Sequence, residues 1–161
     1  MNPVPITPAR LDWPSAIGSF LLSFGSLENF VFIFLKDHLP EAEFEKVKHW
    51  HLVDRLNRIA QQLQHERRPQ EEQDQFAALV TRLVPLRETR NQIAHGQMYV
   101  RLDPATGKPK QVMLLAKDVD GCGLPETKEL EFAELENALT EIAAVNREFE
   151  KVAGFKDNHE Q

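Results

Sequence analysis

The sequence predicts an all-α fold: an antiparallel four-helix bundle with a small β-hairpin inserted before the last helix. Three observations lead there. Apolar residues recur at helical spacing in four long segments. The connections between those segments are short, so consecutive helices should run antiparallel and bury their apolar faces against one another. Only residues 97–117 change period, to short β-prone runs around a Pro/Gly turn. A chain of 161 residues can bury one core, so residues 1–161 read as a single helical domain. Its edges are an N-terminal arm (1–12) and a frayed tail (154–161).

The first helix should start near Trp13–Ser15, where Pro14 suits a first turn. Its stripe is Ile17, Phe20, Leu21, Phe24, Leu27, Val31, Phe34 and Leu35, and its phenylalanines read as core or dimer surface. Gly18 and Gly25 lie seven apart and should admit a close neighbour. Glu28 falls on the apolar face, four after Phe24, where a carboxylate needs a partner. A second helix opens after Pro40 with acids in its first turn and carries Phe44, Val47, Leu52, Val53, Leu56, Ile59, Ala60 and Leu63, to about Gln64. "HERRPQEEQ" is a charged connection.

The third helix should cover roughly Glu71 to His95, with Pro85 kinking it or loosening a turn and Gly96 left-handed just past its end. "QMYVRL" and "KQVMLLA" around "DPATGKP" give the hairpin, and "KDVDGCGLPET" reads as loop. The last helix should run from about Phe132 to Val152, with Leu135, Leu139, Ile142, Val145 and Phe149 on one face.

The net charge of −6 argues against a general nucleic-acid coat protein, but charge is uneven along the chain. Residues 126–150 hold eight acids against two bases, whereas residues 82–101 hold four arginines against Glu88 alone. The single cysteine, Cys122, forms no intrachain disulfide, and a reducing cytoplasm is the expected setting. The proline-rich start has no apolar signal core, so no targeting peptide is expected. Residues 17–35 are apolar, but Glu28, Asn29 and three serines interrupt them, so the expectation is a buried helix and no membrane span.

The basic segment contains "RETRNQIAHG". On a regular helix Arg90 continues the Leu83–Leu86–Ile93 stripe toward the bundle seam, and a charge there wants an acidic partner or a ligand. Asn91 and His95 are four apart and therefore neighbours, with Glu88 on the same face. The helix C-terminus favours imidazolium at His95 while nearby arginines oppose it, a balance that suits proton transfer near neutrality. Arginine's planar fork matches phosphate oxygens. Arginine and histidine without a metal-ligand set therefore suit phosphodiester chemistry.

"RNQIAHG" resembles the signature of the HEPN domains: Arg90, polar Asn91, then His95 after four intervening residues. "GSFLLSFGSLENFV" and "LVDRLNRIAQQL" resemble the family more loosely. The resemblance implies a helical bundle and a metal-independent endoribonuclease without cofactor, its active site shared across a homodimer. It makes His95 the general acid–base and Arg90 the phosphate clamp, with Arg87 and Asn91 as substrate-binding residues. It also implies an RNA substrate and a toxin or defence effector restrained by an antitoxin.

Blander readings stand beside this one. Arg90 can neutralise Glu28 inside the bundle, and His95 can be a C-terminal cap. His49 and His51 point about 200° apart on a regular helix and cannot chelate one ion from it, so no metal site is expected. Trp50 reads as a core or interface residue, and Arg55 and Arg58 as a basic edge on a solvated face. The competing function is a non-catalytic HEPN-like module that binds a nucleotide, RNA or a protein partner.

Overall fold

A computed structural model of the chain describes residues 12–107, 109–117 and 126–154. It is mostly helical, with a small antiparallel sheet. The elements are α1 (Trp13–His38), α2 (Glu41–Val47), α3 (Leu52–His65), α4 (Gln70–His95), β1 (Gln97–Leu102), β2 (Pro109–Lys117), β3 (Glu126–Leu130) and α5 (Phe132–Ala153). The arm up to residue 11, Cys122 and the tail beyond Gly154 lie outside the described residues.

α1 starts where the sequence predicts. Asp12 caps it by accepting from the Ser15 N–H at 3.0 Å, and Pro14 sits in the first turn, where its missing N–H costs nothing. Its buried stripe is Trp13, Ala16, Phe20, Phe24, Leu27, Val31, Phe34 and Leu35. α5 and α3 pack on this helix, and α4 packs between them. Phe149 of α5 meets Phe30 of α1 in a stacked pair at 6.5 Å and Phe76 of α4 edge-on at 6.0 Å, so one ring joins three helices. By length and composition α1 is also apolar enough to cross a membrane. Within this fold its stripe is the surface on which the other helices are built. Gly18 and Gly25 do not mark a close approach inside the molecule, because a Cβ at either would meet nothing within 4 Å.

The second predicted helix is two helices. Its chain breaks at Lys48–His51, where the Trp50 N–H donates to Val47 O at 3.0 Å and His51 is extended (φ −63°, ψ 153°). The reason is one of phase. At 3.6 residues per turn, a continuous helix would put the Phe44–Val47 pair roughly 120° away from the Leu56–Ile59–Leu63 stripe. All five side chains are buried in one core, so the break re-aims the chain.

α4 runs unbroken through Pro85 from Gln70 to His95. It ends at Gly96, which is extended (φ −80°, ψ 161°) rather than left-handed. Glycine is needed there for space: a Cβ would run into Gln92 O and lie 2.8 Å from Met113 Cγ. The left-handed glycine cap belongs to α5 instead, at Gly154 (φ 71°).

The hairpin is part of a three-stranded sheet in the order β1-β2-β3. Met98 pairs with Met113, and Met113 with Leu130. Met113 and Leu130 point into the helical core. β3 falls in a segment expected to be loop and last-helix approach. "ETKEL" carries one core residue among charges, so its alternation is too short to read.

Candidate functional site: an arginine cleft between α3 and α4

Burial of Leu83, Leu86, Gln92 and Ile93 sets the rotation of the last turns of α4. Arg87, Arg90 and Asn91 then fall on one flank. They line a cleft of about 420 Å³ whose other walls are Phe24 of α1, His51, and Leu52, Val53 and Asp54 of α3. Arg90 is half-buried, while Arg87 and Asn91 are exposed. The Arg90 guanidinium donates to Asn91 Oδ1 at 3.2 Å, which orients both side chains.

Three of the sequence-derived candidates therefore share one cleft. Two others do not. Glu28 is half-buried on α1, and no ion pair joins it to Arg90 among the described residues. The arginine lies at the cleft rather than in the helical seam, and its partner is Asn91. His95 is exposed on the next turn beyond Asn91 and does not line the cleft.

The charge around the cleft follows from where the other cations are used. Arg82, part of the same basic segment, is bound to α5 through Glu141 at 2.5 Å and Glu148 at 2.6 Å. Its hydrogen bonds to both carboxylates raise its pKa further. Arg58 donates to Glu43 at 2.6 Å and to Gln62 at 3.1 Å, so it is a link between α2 and α3 rather than an open basic edge. Gln62 passes the chain on to Glu66 at 2.9 Å, which also meets His38 Nδ1 at 2.8 Å. By contrast, neither Arg87 nor Arg90 is ion-paired among the described residues. The cleft therefore presents two guanidinium groups without an ion-pair partner among the described residues, that of Arg90 held by Asn91, with one carboxylate, Asp54, in its wall. Such a site can take a phosphate or another compact anion.

A second cleft, of about 560 Å³, adjoins the first. It is lined by His49, Trp50, His51, Asp54, Asn57, Arg58 and Gln61, and the two share His51 and Asp54. Sequence reasoning missed His51 and Asp54 as site residues. Trp50, which the sequence reads as a core or interface residue, is 46% exposed. The signal that finds them is the phase mismatch across the helix break, since His49, Trp50 and His51 are the residues the break releases from helical geometry. Among the described residues no group of three His, Cys, Asp or Glu side chains is arranged to hold a metal ion.

No family model matches the chain, and neither a curated protein nor a solved structure matches it.

Proposed function

We propose that this chain is a metal-independent endoribonuclease of the HEPN type, a helical bundle that acts as a homodimer. One observation carries the reading: Arg87, Arg90 and Asn91, all from the motif segment, line a single cleft whose arginines have no ion-pair partner among the described residues. Arg90 clamps the scissile phosphate, Asn91 holds its guanidinium, and Arg87 neutralises backbone charge. His95 moves the proton. Attack by the RNA's own 2′-hydroxyl needs a base for that hydroxyl and an acid for the leaving oxygen. A two-fold dimer brings two His95 imidazoles, one for each task. Uncovered apolar side chains are available for such a partner: Leu22 on α1 is 77% exposed, and Val100 and Leu102 on β1 are 66% and 69% exposed. An enzyme that cuts RNA without cofactor needs restraint in the cytoplasm. An antitoxin partner and a toxin or defence role follow from that reading.

A second reading has its own observation. His95 does not line the arginine cleft of its own chain, whose cationic groups come from Arg87 and Arg90. The chain is then a non-catalytic module that binds a nucleotide, RNA or a protein partner through Arg87 and Arg90.

Incubating purified protein with single-stranded RNA in EDTA separates the two. The nuclease reading expects cuts that leave 2′,3′-cyclic phosphate ends, and loss of both binding and cleavage in Arg90→Ala. Binding that Arg90→Ala weakens, with no cleavage by the wild type, supports the module.

A further inference from the structure

We infer that the cleft at the α2–α3 break is a nucleobase subsite, in which an unpaired base of single-stranded RNA stacks on Trp50 while its phosphate sits at Arg87 and Arg90. This rests on the proposal that the arginine cleft takes an RNA phosphate. It adds what recognises the rest of the nucleotide.

The two clefts share His51 and Asp54 and therefore adjoin, which places a second subsite beside the first. The second has the composition of a base site. Trp50 lines this cleft, is 46% exposed and makes no ring contact among the described residues. The other tryptophan, Trp13, is buried and packs edge-on against Phe132 at 5.2 Å. The rest of the lining includes Asp54, Asn57, Arg58 and Gln61 of α3, which follow one another at helical spacing along one face. Arg58 is held by Glu43 and Gln62, which leaves Asp54, Asn57 and Gln61 to read the ligand.

The arginines and Trp50 set the polarity of the track. Asp54 lines both clefts, whereas Arg87 and Arg90 line only the first and Trp50 only the second, so the phosphate lies on the Arg87–Arg90 side and the base on the Trp50 side. A carboxylate accepts from an amino group of a base, while the amides of Asn57 and Gln61 both donate and accept. The subsite therefore favours a base with an exocyclic amino group over uracil. Stacking supplies sequence-tolerant affinity, and Asp54 supplies the preference.

The test measures binding of two 2′-O-methyl hexanucleotides, which lack the attacking hydroxyl: one with bases, one abasic. Wild type, Trp50→Ala, Trp50→Phe and Arg90→Ala are compared by fluorescence anisotropy. The expected result is about tenfold weaker binding of the base-bearing oligomer by Trp50→Ala, unchanged binding of the abasic one, and recovery of most of the loss in Trp50→Phe. Arg90→Ala weakens both. If Arg90→Ala weakens both and Trp50→Ala binds both like wild type, the base subsite is wrong and the phosphate cleft stands. If wild type binds neither oligomer, both proposals fall. Trp50 is exposed, so its variants retain the fold; unchanged thermal melting is the control.

Discussion

His51, at the start of α3, and Arg90, near the end of α4, line the same cleft. They come together because α3 and α4 pack against each other, and because the break before α3 holds His51 in extended geometry. The histidine of the motif itself, His95, stands one turn beyond Asn91 on the outside. In one chain the arginine cleft and His95 are therefore apart, and the nuclease proposal needs a second copy to bring a histidine to the phosphate.

Arg82 should be structural and not part of the substrate track. Its guanidinium ties α4 to Glu141 and Glu148 of α5, and its side chain is 34% exposed. Discounted for solvent screening, the pair of bridges contributes about 0.5–1 kcal/mol. Arg82→Ala should lower the melting temperature by about 2 °C, less at high salt, and leave RNA binding unchanged. A large loss of binding in this variant would put Arg82 in the substrate track.

The glycines should separate by environment. Gly96→Ala drives a methyl into Gln92 O and Met113 and should cost about 1–3 kcal/mol in denaturant unfolding. Gly25→Ala adds a methyl in open space within α1 and should stabilise by about 0.5–1 kcal/mol. If Gly25→Ala instead weakens self-association in sedimentation, the open side of α1 is the face a second copy covers.

Acid should weaken the link between α1, α2 and α3. At Glu66 burial works to raise the pKa, but hydrogen bonds from Gln62 and His38, then the charges of His38 and Arg68, bring it below its ordinary 4.5. The hydrogen bond from Arg58 holds Glu43 below 4.5 as well. Both carboxylates bind protons more weakly folded than unfolded. Their contribution is full above about pH 4.5 and falls away as pH drops through the lower folded values. Unfolding free energy measured from pH 6 to pH 3 should fall less steeply in Glu66→Gln than in wild type. Parallel curves would mean that Glu66 gains nothing from Gln62 and His38.

Much of this fold was legible because its long helices obey one periodicity. α1, α4 and α5 begin and end within a few residues of where their apolar stripes and caps place them, and β1 and β2 follow from the change of period after Gly96. The α2–α3 break was not read, since "KVKHWHLV" contains neither glycine nor proline and helical spacing continues on both sides. Only comparing the phases of Phe44–Val47 and Leu56–Ile59 reveals it. β3 was missed because Leu130 alone anchors a charged strand. At the site, Arg87, Arg90 and Asn91 were legible as a helical cluster. Their opposite wall was not, because His51 and Asp54 arrive through tertiary packing. Glu28 looked like the partner of Arg90 on spacing alone, whereas Asn91, its neighbour in sequence, takes the guanidinium.

Whether His95 does chemistry is tested by the rate of RNA cleavage in EDTA by wild type and by His95→Ala, matched for melting temperature and self-association. His95→Ala should lose about 10²–10⁴-fold in cleavage rate, with RNA affinity retained because the arginine cleft is intact. Equal cleavage by the two proteins, or a wild type that binds RNA and never cuts it, would contradict a chemical role for His95.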